Sequence, residues 1–281
     1  MSFYVSLSGL KGAQADLSTI SNNVANVNST AFKKSKAQFG DIFAASPMQT
    51  THQVAGQGVR VLGIYQQYTQ GTIETTDKTL DLAITGEGFF TVKAADGTVG
   101  YTRNGAFAVD DNRYAVDTTG ARMQVLAVDP QTGALTTAPT DATTPADLTD
   151  LQIPTTLDGV ANGPQLTSVG VNKAGLVSAI YADGTTRYLG QVAMASFNSM
   201  EGLRQQGNAH WSSTVASGSP IFGTANEGMY GSVNSGSLER SNVDITDELV
   251  ALIAAQRNFQ ANSKAIEAAN TLSTTIVNMR T

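Results

Sequence analysis

LKGAQADLSTISNNVANV, residues Leu10 to Val27, places apolar side chains at Leu10, Ala13, Leu17, Ile20, Val24 and Val27. Steps of three and four are the seam of a heptad repeat, so the stretch predicts one helix from Phe3 to Val27. Its other face is Ser, Thr, Gln and Asn, and only Lys11 and Asp16 are charged between Ser2 and Phe32. A helix of this length with one apolar stripe is marginal alone in water, and packing of the stripe must stabilise it.

The far end of the chain offers the partner. Asp244 reads as a helix N-cap with Asp247 three residues on, and no glycine or proline follows it to Thr281. Ile245, Leu249, Leu252, Phe259, Ile266, Ala269, Leu272, Ile276 and Met279 trace a stripe that Gln256 and Ser263 interrupt. The two ends are therefore expected to pair. Their uncharged polar backs can then meet other subunits without the desolvation cost of buried charge. Docking of both helices on the chain's own body is the simpler alternative.

Between the helices the texture is β. The turn pairs Asp96-Gly97, Asn104-Gly105, Asp158-Gly159, Asn162-Gly163 and Asp183-Gly184 punctuate short apolar runs. Those runs are Gly58–Tyr65, Leu82–Ile84, Phe89–Val92, Met123–Val128, Leu176–Tyr181 and Tyr188–Phe197. Residues Asp129 to Pro164 hold five of the seven prolines, which marks a loop or small insertion. The expected fold is α+β: N- and C-terminal helices (1–30 and 243–281) forming a coiled coil, a linker at 31–70, and an all-β body at 71–242. The insertion falls near 129–164.

Composition excludes several functions. A net charge of −6 and no basic run oppose nucleic-acid binding. The longest clean apolar run, Leu249 to Ala255, is too short to cross a membrane. Met1 to Leu10 carries no basic residue, so no secretory signal is expected. Without cysteine there is no disulfide or thiolate site. His52 and His210 lack metal-ligand neighbours and no serine sits in a nucleophile elbow. Gly56-Gln57-Gly58 precedes a strand-like run, so it reads as a tight turn and not a dinucleotide loop. Trp211 reads as core. No catalytic residue, cofactor or metal is expected.

Several blocks resemble one family. Leu7-Ser8-Gly9-Leu10 and STISNNVANVNSTAFKKSKAQFGDIF (Ser18 to Phe43) resemble the N-terminal signature of bacterial flagellar rod and hook proteins. DLAITGEGFF (Asp81 to Phe90) and YTRNGAF (Tyr101 to Phe107) resemble its β-domain motifs, and GSLERSNVDITDELVALIAAQRNFQANSKAI (Gly236 to Ile266) its C-terminal signature. The matched motif positions include Asn22, Asn23, Asn26, Phe32, Gly86, Gly88, Phe89, Phe90, Ser241, Asn242, Val243, Gln256 and Arg257. Within the family the details are most similar to hook subunits. The compact length is closer to a distal rod subunit, and Ala31 stands where the family usually has glycine.

The resemblance implies a self-assembling axial subunit of the flagellum, exported to the cell exterior, polymerised into a tube and, for a hook, bent as a universal joint. Its implied partners are further copies of itself, the distal rod protein, the hook cap protein and the hook–filament junction protein, without nucleic acid or membrane insertion. Assembly is expected to use Leu10, Ala13, Leu17, Ile20, Val24, Val27, Leu249, Leu252, Phe259, Ile266, Leu272 and Ile276. A reading from another class, a secreted polysaccharide-binding protein, rests only on an acidic β-rich composition with aromatic side chains for stacking.

Overall fold

The computed structural model describes residues 2–42, 56–136, 148–157 and 163–279. The chain divides into two compact units: Met1–Asn28 with Lys33–Tyr68 and Val243–Thr281, and Ser29–Phe32 with Thr69–Asn242.

The first unit holds both helices, α1 (Ser2–Ala25) and α2 (Ile245–Asn278). Asp244 caps α2, its carboxylate accepting from the Thr246 and Asp247 N–H groups at 2.7 and 3.3 Å. At the other end of α1, Asn26 Nδ2 donates to the Asn22 carbonyl at 2.9 Å and closes the last turn. Val27 therefore lies past the helix.

The stretch read as a linker contributes two strands to this unit. β1 (Ser35–Asp41) pairs antiparallel with β2 (Val59–Gln66), with a bulge between Gln38 and Phe39. This ribbon lies along α1: a Cβ at Gly12 would stand 3.4 Å from Val59 and 3.5 Å from Phe39, and the Val59 N–H donates to Ser8 Oγ at 3.2 Å. Mutual backbone pairing is the physical reason for the ribbon. One face of each strand covers α1, and the strands satisfy each other's backbone.

The second unit is β. Its strands run β3 (Ile73–Thr75), β4 (Leu82–Thr85), β5 (Phe89–Lys93), β6 (Val99–Thr102), β7 (Ala108–Val109), β8 (Ala115–Val116) and β9 (Arg122–Leu126). Then follow β10 (Leu148–Asp150), β11 (Leu166–Val171), β12 (Leu176–Tyr181), β13 (Thr186–Val192) and β14 (Met194–Ser196). The last are β15 (Arg204–Gly207), β16 (His210–Ser212), β17 (Ile221–Gly223), β18 (Ser232–Ser235) and β19 (Ser237–Glu239). The main sheet is ordered β11-β12-β13-β9-β5-β6-β16-β15, while β18–β4 and β19–β3 form separate pairs. Every pairing is antiparallel.

Both faces of β5 are covered. Phe89 and Phe90 are consecutive, point to opposite faces, and are both buried. Phe90 joins Leu82, Met123, Val125, Val192 and Met194 in the main core. Phe89 packs edge-on against Trp211 (5.6 Å) and Phe197 (6.0 Å), so Trp211 is a core residue. The two glycines before these phenylalanines have left-handed backbone, φ +113° at Gly86 and +120° at Gly88. A Cβ on Gly88 would also strike Met194 at 2.5 Å, so this part of the motif is a backbone requirement.

Two local expectations change. Asn104-Gly105 joins no hairpin; Gly105 instead lets the backbone approach β4, where a Cβ would fall 1.7 Å from the Leu82 carbonyl oxygen. The proline-rich stretch is more than a loop, because β10 pairs with β9, and Leu151 and Ile153 beyond it are buried in the main core. Asp158-Gly159 and Asn162 fall outside the described residues, as does His52. Asp96-Gly97 and Asp183-Gly184 do form turns, β5 to β6 and β12 to β13, with φ +86° and +81° at the glycines.

Candidate assembly surface

The two terminal helices run antiparallel, and two contacts set their register. A Cβ at Gly9 would lie 2.6 Å from Asn262 Oδ1, and Asn23 Nδ2 donates to Glu248 Oε2 at 3.1 Å. The two residue numbers add to the same value in both pairs, so one straight register covers the helix pair. On α1, Ala13 and Ile20 are buried and Leu10, Leu17 and Val24 half-buried.

On α2 the inward positions are Glu248, Leu252, Ala255, Phe259, Asn262, Ile266 and Ala269, at steps of four and three. This differs from the stripe read from the sequence. Gln256 is exposed and interrupts nothing, because Ala255 holds the seam position beside it. Leu249, Leu272 and Ile276 lie outside the pairing and are exposed. Apolar side chains occur on more than one face of α2, so periodicity by itself does not say which of them meet α1.

Asn23 and Glu248 belong to one connected polar layer. Asn23 donates to the Ser35 carbonyl (2.8 Å) and accepts the Ser35 N–H (2.9 Å) in addition to its bond to Glu248. Glu248 also holds Lys34 Nζ at 3.0 Å. Both Asn23 and Glu248 are buried, and the layer joins α1, α2 and β1. Asp16, one α1 turn pair away, has its carboxyl pushed above the usual range by burial and by the Glu248 charge, against a smaller pull from Lys36.

The helices differ in length, 24 residues against 34. On the observed register Ser2 comes opposite Ala269. The rest of α2, nine residues or ~14 Å at ~1.5 Å per residue, has no α1 beside it. Leu272, Ile276 and Met279 are 65%, 66% and 82% exposed there. Phe3, Tyr4 and Val5 are exposed at the adjacent start of α1. Further apolar exposure occurs at Val250 and Ile253 on α2 and at Phe39, Leu62 and Ile64 on the ribbon. Sequence reasoning missed these five. The signal was present in β2, whose run Val61-Leu62 puts consecutive apolar residues on opposite faces.

The other motif positions serve the second unit. Arg103 of YTRNGAF meets Glu239 of GSLERSN at 3.5 Å and donates to the Gly86 carbonyl at 2.9 Å, joining three motif blocks. Glu239 Oε1 accepts the Gly71 N–H at 2.8 Å, and both charged side chains are buried. Burial lowers the Arg103 pKa, and the Glu239 charge opposes that shift. Asn242 Nδ2 holds Thr69 through its carbonyl (3.1 Å) and hydroxyl (2.9 Å), and its N–H donates to the Phe32 carbonyl at 3.4 Å. Ser241 is buried in this unit, Val243 is buried in the first, and Asn22 and Arg257 are exposed. Ala31 is buried with φ +55°, its N–H donating to the Glu239 carbonyl at 2.8 Å.

Among the described residues no cluster of His, Asp or Glu is placed to hold a metal ion. His210 is buried against Asp117 in the β unit. No helix among the described residues is long and apolar enough to cross a membrane.

Comparison with known proteins bears on the same segments. A family model described as flagella basal body rod protein matches residues 3–33. One described as flagellar hook protein FlgE/F/G D1 domain matches 83–179, and one described as flagellar basal body rod FlgEFG protein C-terminal matches 234–279. The flagellar basal-body rod protein FlgG of Bacillus subtilis is 33% identical over 292 positions, covering 99% of this chain and 98% of that protein. The flagellar hook protein FlgE of Salmonella typhimurium is 29% identical over 410 positions, covering both chains completely. FlgG of Buchnera aphidicola (Acyrthosiphon pisum) is 31% identical over 94% of each. These relatives are structural proteins and not enzymes.

Proposed function

Since the chain belongs to the family of flagellar hook and basal-body rod proteins, we propose that it is a hook subunit that polymerises through its terminal helices. The observation that carries this reading is the bare end of α2. Each fully buried Leu or Ile contributes ~1.5–3 kcal/mol, so Leu272, Ile276 and their neighbours gain several kcal/mol when another copy covers them. Leu10, Ala13, Leu17, Ile20, Val24, Leu252, Phe259 and Ile266 act indirectly, holding the helix pair that presents this end. Leu249, with Val250 and Ile253, offers a second contact strip.

The low charge content, 14%, supports the hook reading over a rigid rod. Contacts between polar, uncharged surfaces slide without breaking a buried ion pair at each step. The opening Met1-Ser2-Phe3, the segment Lys33 to Phe43, Ser241-Asn242-Val243-Asp244 and the closing Val277-Asn278-Met279-Arg280 also resemble hook subunits. In that role the polymer is an extracellular universal joint passing torque to the filament, in contact with the distal rod, hook cap and hook–filament junction proteins.

One observation favours the distal rod instead. The alignment with the rod protein runs over 292 positions, near this chain's 281 residues, while that with the hook protein needs 410. Immunogold labelling of isolated hook–basal bodies separates the two. Label on the curved segment supports the hook, and label confined to the rod replaces it. Polymerisation is tested directly: purified chain ending at Asn270 should keep its helical circular-dichroism signal and form no tubes by electron microscopy. Tubes from that truncated chain would refute the role given to the α2 end.

A further inference from the structure

We propose that Asn23 and Glu248 are register-setting residues, whose buried polar layer fixes how far α1 and its ribbon sit along α2 and so how much of α2 is left bare. The consequence for assembly rests on the polymerisation reading above; the register itself does not.

The apolar seam alone leaves the register open. Ile276 continues the three–four repeat that runs through Ile266 and Ala269, with Leu272 beside it. If α1 moved one heptad, about 10 Å, toward the end of α2, its first turns would cover Leu272 and Ile276. The slide would exchange the α1 cover on Leu252, which would come opposite Asn26 past the end of α1, for cover on Leu272 and Ile276, so apolar burial by itself does not fix the register.

The polar layer opposes it. All of Glu248's side-chain partners in this unit sit on the α1 and ribbon side: Asn23 Nδ2 at 3.1 Å and Lys34 Nζ at 3.0 Å. After the slide, the residue opposite Glu248 would lie past Ala25, where α1 has ended. Asn23, still buried, would then face Ala255 and lose an acceptor. Asn23 keeps its bonds to Ser35, which moves with it, but one donor of a buried amide is left unmade and Glu248 loses Asn23 and Lys34 together, which is costly. The opposite slide is blocked by charge, because it brings Asp16 level with Glu248, two carboxylates on one layer. In the observed register Asp16 comes level with Ala255 instead. A single buried polar layer setting register at some expense of stability is a known use of such residues.

The absence of native cysteine allows a direct test on the full-length chain. Gly9→Cys with Asn262→Cys reports the observed register, and Gly9→Cys with Ala269→Cys reports the slide. Both are oxidised in dilute solution, and the intramolecular bridge is quantified by mass spectrometry. In the otherwise native chain the first pair should bridge at least tenfold more than the second. Asn23→Leu with Glu248→Leu should raise the slid bridge at least tenfold, and Glu248→Ala should raise it in the same direction. Glu248→Gln, which keeps a hydrogen-bonding group, should leave it low.

A slid bridge that stays at background in the Leu/Leu and Ala chains, with their helical signal intact, overturns the proposal and assigns the register to the chain connections. The measurement is made on monomers. If the native chain fails to polymerise, the functional reading falls while the register result stands. Slid chains that polymerise normally would break the link between register and assembly.

Discussion

His210 and Asp117, 93 positions apart in the chain, meet through Nε2 and Oδ2 at 2.5 Å, while the other ring nitrogen of His210 faces the Asn208 carbonyl at 2.9 Å. Both ring nitrogens therefore face acceptors, and only the imidazolium donates to both. The pair anchors the β15–β16 turn, where Asn208 and Ala209 both have left-handed backbone, φ +51° and +58°.

Burial lowers the His210 pKa, but the Asp117 and Asn208 hydrogen bonds and the Asp117 charge outweigh it, leaving a net rise above 6.5. For Asp117, burial raises the pKa, and the bonds from His210 and Thr119 outweigh that to hold it below 3.8. The histidine's contribution is then full below pH 6.5 and is lost as pH rises through its elevated value. The aspartate's is full above 3.8 and is lost as pH falls through its depressed value. Melting of the β unit should be highest at about pH 4–6.5 and decline on the alkaline side, where ~1–3 kcal/mol of a charged hydrogen bond is given up. Asp117→Asn should flatten that decline. A melting profile from pH 5 to 9 with the same slope in both chains would contradict the assignment.

The Arg103–Glu239 pair should behave asymmetrically. Glu239→Gln or Arg103→Leu leaves one charge buried without its partner, and a loss of ~3–5 kcal/mol is expected. Replacing both with Met and Leu should recover much of that loss. Urea unfolding of the two single variants and the double variant reads the difference.

Ala31 pays for a left-handed backbone that costs ~1–2 kcal/mol in a residue with a Cβ. Ala31→Gly removes that strain but also loses one buried methyl, worth ~0.8 kcal/mol, so its stability should stay within about 1 kcal/mol of the parent. Ala31→Val combines the same φ with a branched side chain in a fully buried position and should cost several times more. Equal stability of the Val and Gly variants in thermal melts would exclude strain at this position.

Leu272→Asp with Ile276→Asp should separate assembly from stability. Both side chains are about two-thirds exposed, so the monomer's melting temperature should change little. Within a polymer the same charges would be buried without partners. Sedimentation should then show monomer at concentrations where the parent chain forms tubes. Unimpaired tube formation would remove these two residues from the interface.

The helices were legible because a three–four repeat and an Asp N-cap are local signals, and strands such as Leu176–Tyr181 because apolar runs between turn pairs are local too. Ala31 stood out in the sequence as the residue where the family usually has glycine, and its φ of +55° is the backbone reason. The ribbon was not: Ser35–Asp41 carries Lys36 and Asp41 and has little apolar periodicity, and its strand state comes from pairing with Val59–Gln66 beside α1. Leu151 and Ile153 were hidden by the prolines around them.

The sequence by itself determined that the chain begins and ends in amphipathic helices around a β body, since periodicity, capping and turn chemistry act over a few residues. Only the tertiary structure decided which apolar side chains of α2 are spent inside the molecule and which stay bare. That choice depends on where α1 stops and on the Asn23–Glu248 layer, a contact between residues 225 positions apart that no local pattern encodes.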